Sequence, residues 1–292
     1  MPIEQVAPEL ARIVSLHQDI EELGRGYLTA EGPVWYREGS YLLFSDIRNN
    51  RRMKWAPGEG ISLFYAPTHN ANGLTRDRQG RLIACEHTTR RVTRLESDGS
   101  ITVVANRYQG TQLNRPNDVV VKSDGSMYFT DPGAPDPELD LDFAGVYRVS
   151  PDLGTITLLV RDFVTPNGLA FSPDESILYI DDSRRRHIRA FEVQPNGMLA
   201  LATDRVFCEL KGERPGVPDG MKVDVEGNVY CTGPGGVWII EPSGRHLGTI
   251  LTGAEQTTNC AWGGEEWQTF FITTRDTVAR IQLKIAGIPV PH

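Results

Sequence analysis

Six positions in this chain carry a side-chain oxygen at the same place in a repeating plan: Glu31, Asn72, Asn117, Asn167, Asp219 and Asn259. They open the motifs Glu31-Gly32-Pro33, Asn72-Gly73-Leu74, Asn117-Asp118-Val119, Asn167-Gly168-Leu169, Asp219-Gly220-Met221 and Asn259-Cys260-Ala261. Carboxylate and amide oxygens are what hard cations such as Ca²⁺, Mg²⁺ or Mn²⁺ take as ligands. Two carboxylates facing each other in a dry channel repel until one takes a proton, and a divalent cation removes that conflict. Asn-Gly and Asp-Gly are also ordinary turn dipeptides, so any one anchor alone reads as a turn or a cap. The phasing of all six, with two acids among them, makes the set a candidate cation site. Glu31, Asn117, Asn167 and Asp219 are its leading oxygens.

The phasing also names the elements that must position these residues. Successive anchors are 41, 45, 50, 52 and 40 residues apart. Eight positions after each anchor stands a turn residue: Gly39, Gly80, Gly125, Glu175, Gly227 and Trp267. An apolar strand follows at 41–44, 82–85, 127–129, 177–180, 229–231 and 269–272. A repeat of this length built from short strands predicts an all-β, six-bladed β-propeller with four antiparallel strands per blade. In the third unit the strands are expected at 117–122, 126–130, 145–150 and 155–161. The sixth unit ends without room for a well-formed fourth strand. The segment before Glu31 offers a substitute at 19–24, which would complete the last blade and lock the ring, removing an exposed edge. A short helix within 8–22 is the competing reading of that segment, and part of it can precede the strand. One domain spanning residues 1–292 is expected, since no linker or low-complexity tract divides the chain.

Composition narrows the function classes. Charged residues make up 23% with a formal net charge of −8, and the only basic cluster is Arg184-Arg185-Arg186. No nucleic-acid surface is expected from that balance. No apolar run reaches membrane-spanning length and no leader is visible at the N-terminus, so no membrane partner and a cytoplasmic location are expected. The four cysteines, Cys85, Cys208, Cys231 and Cys260, form no CxxC pair and read as reduced core residues. Gly-x-Ser-x-Gly, His-Glu-x-x-His and phosphate-loop patterns are absent. His87 follows the second unit's return strand and is a candidate at the tunnel mouth for substrate binding, against a structural role. Asp131-Pro132-Gly133 and Asp182-Ser183 stand just after return strands, as supporting groups, a second cation site or simple turns. The acidic stretch from Asp136 to Asp142 reads as a solvated loop that overhangs one face.

Ala30-Glu31-Gly32-Pro33-Val34-Trp35, Arg115-Pro116-Asn117-Asp118-Val119, Pro166-Asn167-Gly168-Leu169-Ala170-Phe171-Ser172-Pro173-Asp174 and Pro218-Asp219-Gly220-Met221 resemble the gluconolactonase/regucalcin family. The resemblance runs from about Glu31 to the C-terminus. It implies a six-bladed propeller with one divalent metal in the central tunnel, held by Glu31, Asn167 and Asp219. It implies that Asn117 reaches the metal or holds substrate or water, that Arg115 contacts a sugar lactone, and that Asp219 is the catalytic base. Hydrolysis of a small-molecule lactone is the expected activity. Phosphotriester or fluorophosphate hydrolysis on the same metal, and a non-catalytic scaffold with a structural metal, are the alternatives. Ca²⁺ is the first expectation for the ion, then Zn²⁺ or Mg²⁺/Mn²⁺. Neither the particular lactone nor the oligomeric state is written in these motifs.

Overall fold

The computed structural model describes residues 2–133 and 139–291. Asp136 and Glu138 of the acidic 136–142 stretch lie outside them, while Asp140 and Asp142 are described and exposed. Six antiparallel sheets follow one another along the chain. The inner strands of the six blades are Ala30–Tyr36, Ala71–Arg76, Val119–Val121, Pro166–Phe171, Met221–Val223 and Thr257–Gly263, and each blade runs outward from there. The third blade continues through Met127–Asp131, Gly145–Val149 and Ile156–Val160, within two residues of the expected bounds.

The eight-residue offset has a backbone cause. Gly80, Gly125, Glu175, Gly227 and Trp267 all sit at positive φ, closing the turn between first and second strands. The first blade makes the same turn one residue later, at Ser40. Glu175 and Trp267 thus occupy a conformation that glycine takes at lower cost.

Closure is as the sequence predicts. Glu21–Arg25 pairs antiparallel with Thr277–Gln282 and supplies the sixth blade's outer strand. A short helix, Leu10–Ile13, precedes it. The structure adds one strand that was not anticipated: Ile3–Gln5 pairs with His246–Leu251 and gives the fifth blade a fifth strand. A two-stranded hairpin, Arg107–Tyr108 with Thr111–Gln112, was also not anticipated. The N-terminal segment therefore ties both the fifth and sixth blades.

The core lies between blades rather than at one centre. Its largest cluster joins the fifth, sixth and first blades through Tyr230, Trp262, Phe270, Phe271, Trp35 and Trp55, and takes in Leu10, Ile13 and Val14 from the N-terminal segment. All four cysteines are buried and unbridged. Among the described residues no helix is long and apolar enough to cross a membrane.

Candidate functional site

The inner strands deliver the anchors to the axis by breaking their own register. Pairing between first and second strands slips between Glu31 and Val34, Ala71 and Leu74, Pro166 and Leu169, and Thr257 and Asn259. Bulges of this kind re-aim side chains at sites. The glycines that follow the anchors have a steric reason, to which Gly32 adds a positive φ. A Cβ on Gly32, Gly73, Gly168 or Gly220 would come closer than 3.0 Å to the neighbouring blade's anchor segment: Asn72 O, Asn117 O, Asp219 O and the Asn259 amide respectively. Backbone bonds stitch the same segments together, from Gly73 N–H to Asn117 O at 2.9 Å, Gly168 N–H to Asp219 O at 2.8 Å and Gly220 N–H to Thr258 O at 2.7 Å.

A second recurring device holds the loops that lead into the anchors. Asp46 accepts the backbone N–H groups of Leu28 and Thr29, and Asp182 those of Val164 and Thr165. Asp131 accepts those of Asn114 and Arg115. In each case the donors stand three and two residues before Glu31, Asn117 or Asn167. Asp131 and Asp182 are thus loop clamps. Burial pushes the Asp131 carboxyl up to about 7. Ser183 supports the site directly: its hydroxyl accepts from Asn167 Nδ2 at 3.1 Å and donates to Pro218 O at 2.7 Å, linking the residues on either side of the tunnel seam.

At the axis, the side chains fall into three hydrogen-bonded groups. Asn167 and Gln256 both hydrogen-bond to Asp219, the latter from Nε2 at 3.3 Å. Glu31 Oε2 accepts from its neighbour Gly32 N–H and from Asn259 Nδ2 at 2.9 Å. The same Asn259 amide lies 3.4 Å from Asp118 Oδ2. Asn259 Oδ1 in turn accepts from Cys260 N–H at 2.8 Å, with Lys222 Nζ at 3.5 Å. On the other wall, Asn72 Nδ2 donates to Asn117 Oδ1 at 2.9 Å and lies 3.3 Å from His87 Nε2. Arg115 is exposed beside this wall. Glu31, Asn72, Asp118 and Asn259 are buried, whereas Asn117, Asn167 and Asp219 keep part of their surface open.

The electrostatics are those of an acid cluster short of positive charge. Burial raises the Glu31 carboxyl to about 7, Asp118 adds to the rise, and the bonds from Asn259 and Gly32 oppose it. Burial, then the charges of Glu31 and Asp118, hold Asp219 well above the carboxylate range. Asp181, fully buried beneath Gly168, is raised by burial and then by Asp219. His87 is pushed down to about 4 by burial and then by Arg115, so its imidazole is neutral at physiological pH.

Asp118 is the axis residue that sequence reasoning left aside, and Asn259 is an anchor that it did not place among the leading oxygens. Asp118 follows an anchor in the position glycine holds in four other motifs, a departure that marks it as a third carboxylate at the axis, beside Glu31 and Asp219. Asn259 carries the anchor phase but acts as a bridge between acids.

The residues present fit a divalent cation. Among the described residues no three His, Cys, Asp or Glu side chains converge as metal ligands. The candidate oxygens are two carboxylates and two amides, a donor set for a hard cation with water completing the shell. Asn72 Oδ1 and Asp181 Oδ1 are buried without a hydrogen-bond partner, and Glu31 and Asp219 stay raised although Lys222 and hydrogen bonds oppose the rise at Glu31 and hydrogen bonds alone oppose it at Asp219.

A six-bladed propeller with buried acids and amides on its axis defines the class. Residues 29–276 match the model of the SMP-30/Gluconolactonase/LRE-like region, and the chain belongs to that family. It is 34% identical to a gluconolactonase of Zymomonas mobilis, over 98% of this chain and 87% of that protein. The solved structure of a gluconolactonase from Xanthomonas campestris superposes with a TM-score of 0.86 at 31% identity, covering 97% of this chain and 95% of that one. A calcium-binding regucalcin from Agrobacterium tumefaciens shares the fold, with a TM-score of 0.78 at 18% identity over 94% and 96% of the two chains.

Proposed function

We propose that this protein hydrolyses a sugar-type lactone to the corresponding aldonic acid, with one divalent cation at Glu31, Asn167 and Asp219 and Asn117 as a further ligand or close neighbour. The observation that carries the reading is the pairing of Asp219 with Glu31 across the tunnel, both raised by burial and by each other's charge or that of Asp118, beside the partly open amides of Asn117 and Asn167. Membership of the family and the gluconolactonase relatives support the substrate class. Ca²⁺ is the first expectation for the ion, in keeping with the all-oxygen donor set.

The cation, when bound, supplies positive charge that keeps both carboxylates ionised and draws electron density from a lactone carbonyl. Asp219 is the base. Hydrogen bonds from Asn167 and Gln256 favour its ionised form and fix its orientation, and its open side lets it take a proton from the attacking water. Glu31 is the fixed counter-charge, its Oε2 tied to Gly32 and Asn259. Asn117, held by Asn72, and the neutral His87 present groups that bind sugar hydroxyls along one wall. Arg115 at the mouth draws in polar substrate and the carboxylate product.

The test is a comparison of kcat/KM for glucono-1,5-lactone and for a fluorophosphate, with the protein saturated in turn with Ca²⁺, Zn²⁺, Mg²⁺ and Mn²⁺. The lactone should be preferred by orders of magnitude. Preference for the fluorophosphate moves the assignment to phosphotriester hydrolysis, and no turnover of either with any ion leaves a binding scaffold.

A further inference from the structure

One enclosed cavity of the protein lies away from the mouth. It measures about 100 Å³ and is lined by residues that stand two or more positions beyond the anchors, among them Trp35, Leu74, Val119, Val121, Phe171, Lys222 and Trp262. It therefore occupies the tunnel below the acid cluster, where the C-terminal residues Ile288, Val290 and Pro291 also line it. Three features set its chemistry. Four cations line it, Arg76, Arg78, Lys122 and Lys222, and among the described lining residues there is no Asp or Glu. Arg76 is paired with Glu38 and Lys122 with Glu175, while Arg78 donates to a backbone carbonyl. Lys222, half-buried, donates to Met221 O at 2.9 Å and approaches Asn259, and pairs with no carboxylate among the described residues.

The third feature is unsatisfied donors. Trp35 and Trp262 are each 4% exposed, and the indole N–H of each is buried with no hydrogen-bond partner. Buried donors without partners are rare and costly. Lys222, Trp262 and Trp35 come from the fifth, sixth and first blades, consecutive around the ring, so the donors share one side of the cavity. Leu74, Val119, Val121 and Phe171, from the second, third and fourth blades, supply apolar surface opposite, where the cations Arg76, Arg78 and Lys122 are already engaged by Glu38, a backbone carbonyl and Glu175.

We propose that this lower cavity is a second binding site, for a small organic monocarboxylate. Its carboxylate would be met by Lys222 and the indole N–H groups of Trp35 and Trp262, and its apolar body by the valine, leucine and phenylalanine wall. The volume is below that of an engineered cavity that holds benzene, which limits the ligand to about six heavy atoms, the size of butyrate. The site is separate from the lactone site and does not depend on that activity.

The test uses ¹⁵N-labelled, Ca²⁺-saturated full-length protein titrated with butyrate, read on the indole ¹H–¹⁵N signals of its five tryptophans. Trp35→Phe and Trp262→Phe assign the two signals concerned. Those two should shift saturably while Trp55 and Trp238, which do not line the cavity, stay in place, and butyramide, neutral and of similar shape, should bind more weakly. Lys222→Met removes the charge and Val121→Phe fills the apolar side. Each should weaken butyrate binding by about tenfold or more, as expected for losing a charge-assisted contact or the cavity itself. No saturable shift of the two indoles, or shifts unchanged in both variants, overturns the proposal. Shifts that vanish on chelation alone also overturn it, since they place the carboxylate on the cation above.

Discussion

At the scale of single residues, the tunnel sets a partly open carboxylate, Asp219, against a buried one, Glu31, and leaves the roles of base and counter-charge to their surroundings. Asp219 is partly open and held by Asn167 and Gln256, while Glu31 is closed in and tied to Gly32 and Asn259. Asp219→Asn keeps an oxygen and the shape but removes the base. It should retain cation and lose kcat by roughly 10²–10⁴, the usual range for a general base. Glu31→Gln should instead weaken the cation first, with activity partly restored by excess ion. Metal content and lactone turnover measured on the same samples separate the two outcomes. Wild-type turnover by a metal-loaded Asp219→Asn protein would reduce Asp219 to a ligand. A pH dependence follows from the same pair. The Glu31 carboxyl sits at about 7 in the metal-free fold, above its unfolded value, and Asp219 is raised as well. Between the ordinary carboxylate range and about 7, the metal-free protein thus loses stability as pH rises, because the unfolded chain ionises first. A cation binds the ionised form, so binding expels protons. The apparent Ca²⁺ affinity should rise about tenfold from pH 6 to pH 7 for each proton released, and level off above. Calorimetry in two buffers of different ionisation enthalpy counts those protons, and a pH-independent affinity with no proton release would contradict the shared-acid picture.

At the scale of elements, the anchors are precise because neighbouring inner strands touch through glycine. Gly168 is the clearest case, since a Cβ there meets Asp219 O and Met221 N, both backbone, as well as Asp181. Backbone cannot swing aside as a side-chain tip can, so Gly168→Ala must push the fourth and fifth blades apart. A cost of about 1–3 kcal/mol is expected from overpacking of this kind. Cation affinity should fall with it, because Asn167 and Asp219 flank the contact. Gly154→Ala, whose added Cβ meets only the Asp152 carboxylate at 3.3 Å, is the matched control and should leave both quantities near wild type. Urea denaturation and cation titration of the two variants make the comparison. These elements also show what was legible in the sequence. The anchor phase and the eight-residue turn offset are written in residue types, because positive φ and close approach restrict the choice to a few. Asp46, Asp131 and Asp182 repeat at fourteen or fifteen residues after Glu31, Asn117 and Asn167, a signal present in the chain that reads as turn chemistry until the loop bonds are seen. The Lys222–Asn259–Asp118 contacts were not legible, since they join residues of the third, fifth and sixth units across the axis and leave no spacing to read. Ile3–Gln5 escaped notice for another reason. Three residues of mixed type carry no period, and only the open edge of the fifth blade makes them a strand.

At the scale of the whole molecule, stability rests on closing the ring, and the N-terminal segment does this twice, with unequal weight. Glu21–Arg25 covers the last edge of the sixth blade, so its removal opens the propeller. The residues between the two N-terminal strands carry Leu10, Ile13 and Val14 into the largest core cluster, where all three are buried. Burying such a side chain is worth about 1.5–3 kcal/mol. With Ile3, four of them amount to roughly 6–12 kcal/mol, the same order as the entire stability of an ordinary domain, about 5–15 kcal/mol. Deleting residues 1–26 should therefore leave a chain that does not fold cooperatively. Deleting residues 1–5 removes only the added fifth strand of the fifth blade and one buried isoleucine, about 2 kcal/mol, and should lower Tm by several degrees while sparing the fold and the cation site. Thermal unfolding of both deletions alongside the full chain decides the matter. If the longer deletion melted at the temperature of the full chain, closure through the sixth blade would contribute nothing to stability. If the shorter deletion failed as completely as the longer, the weight would lie on the fifth blade, and the strand that completes the ring would be secondary to the one that thickens it.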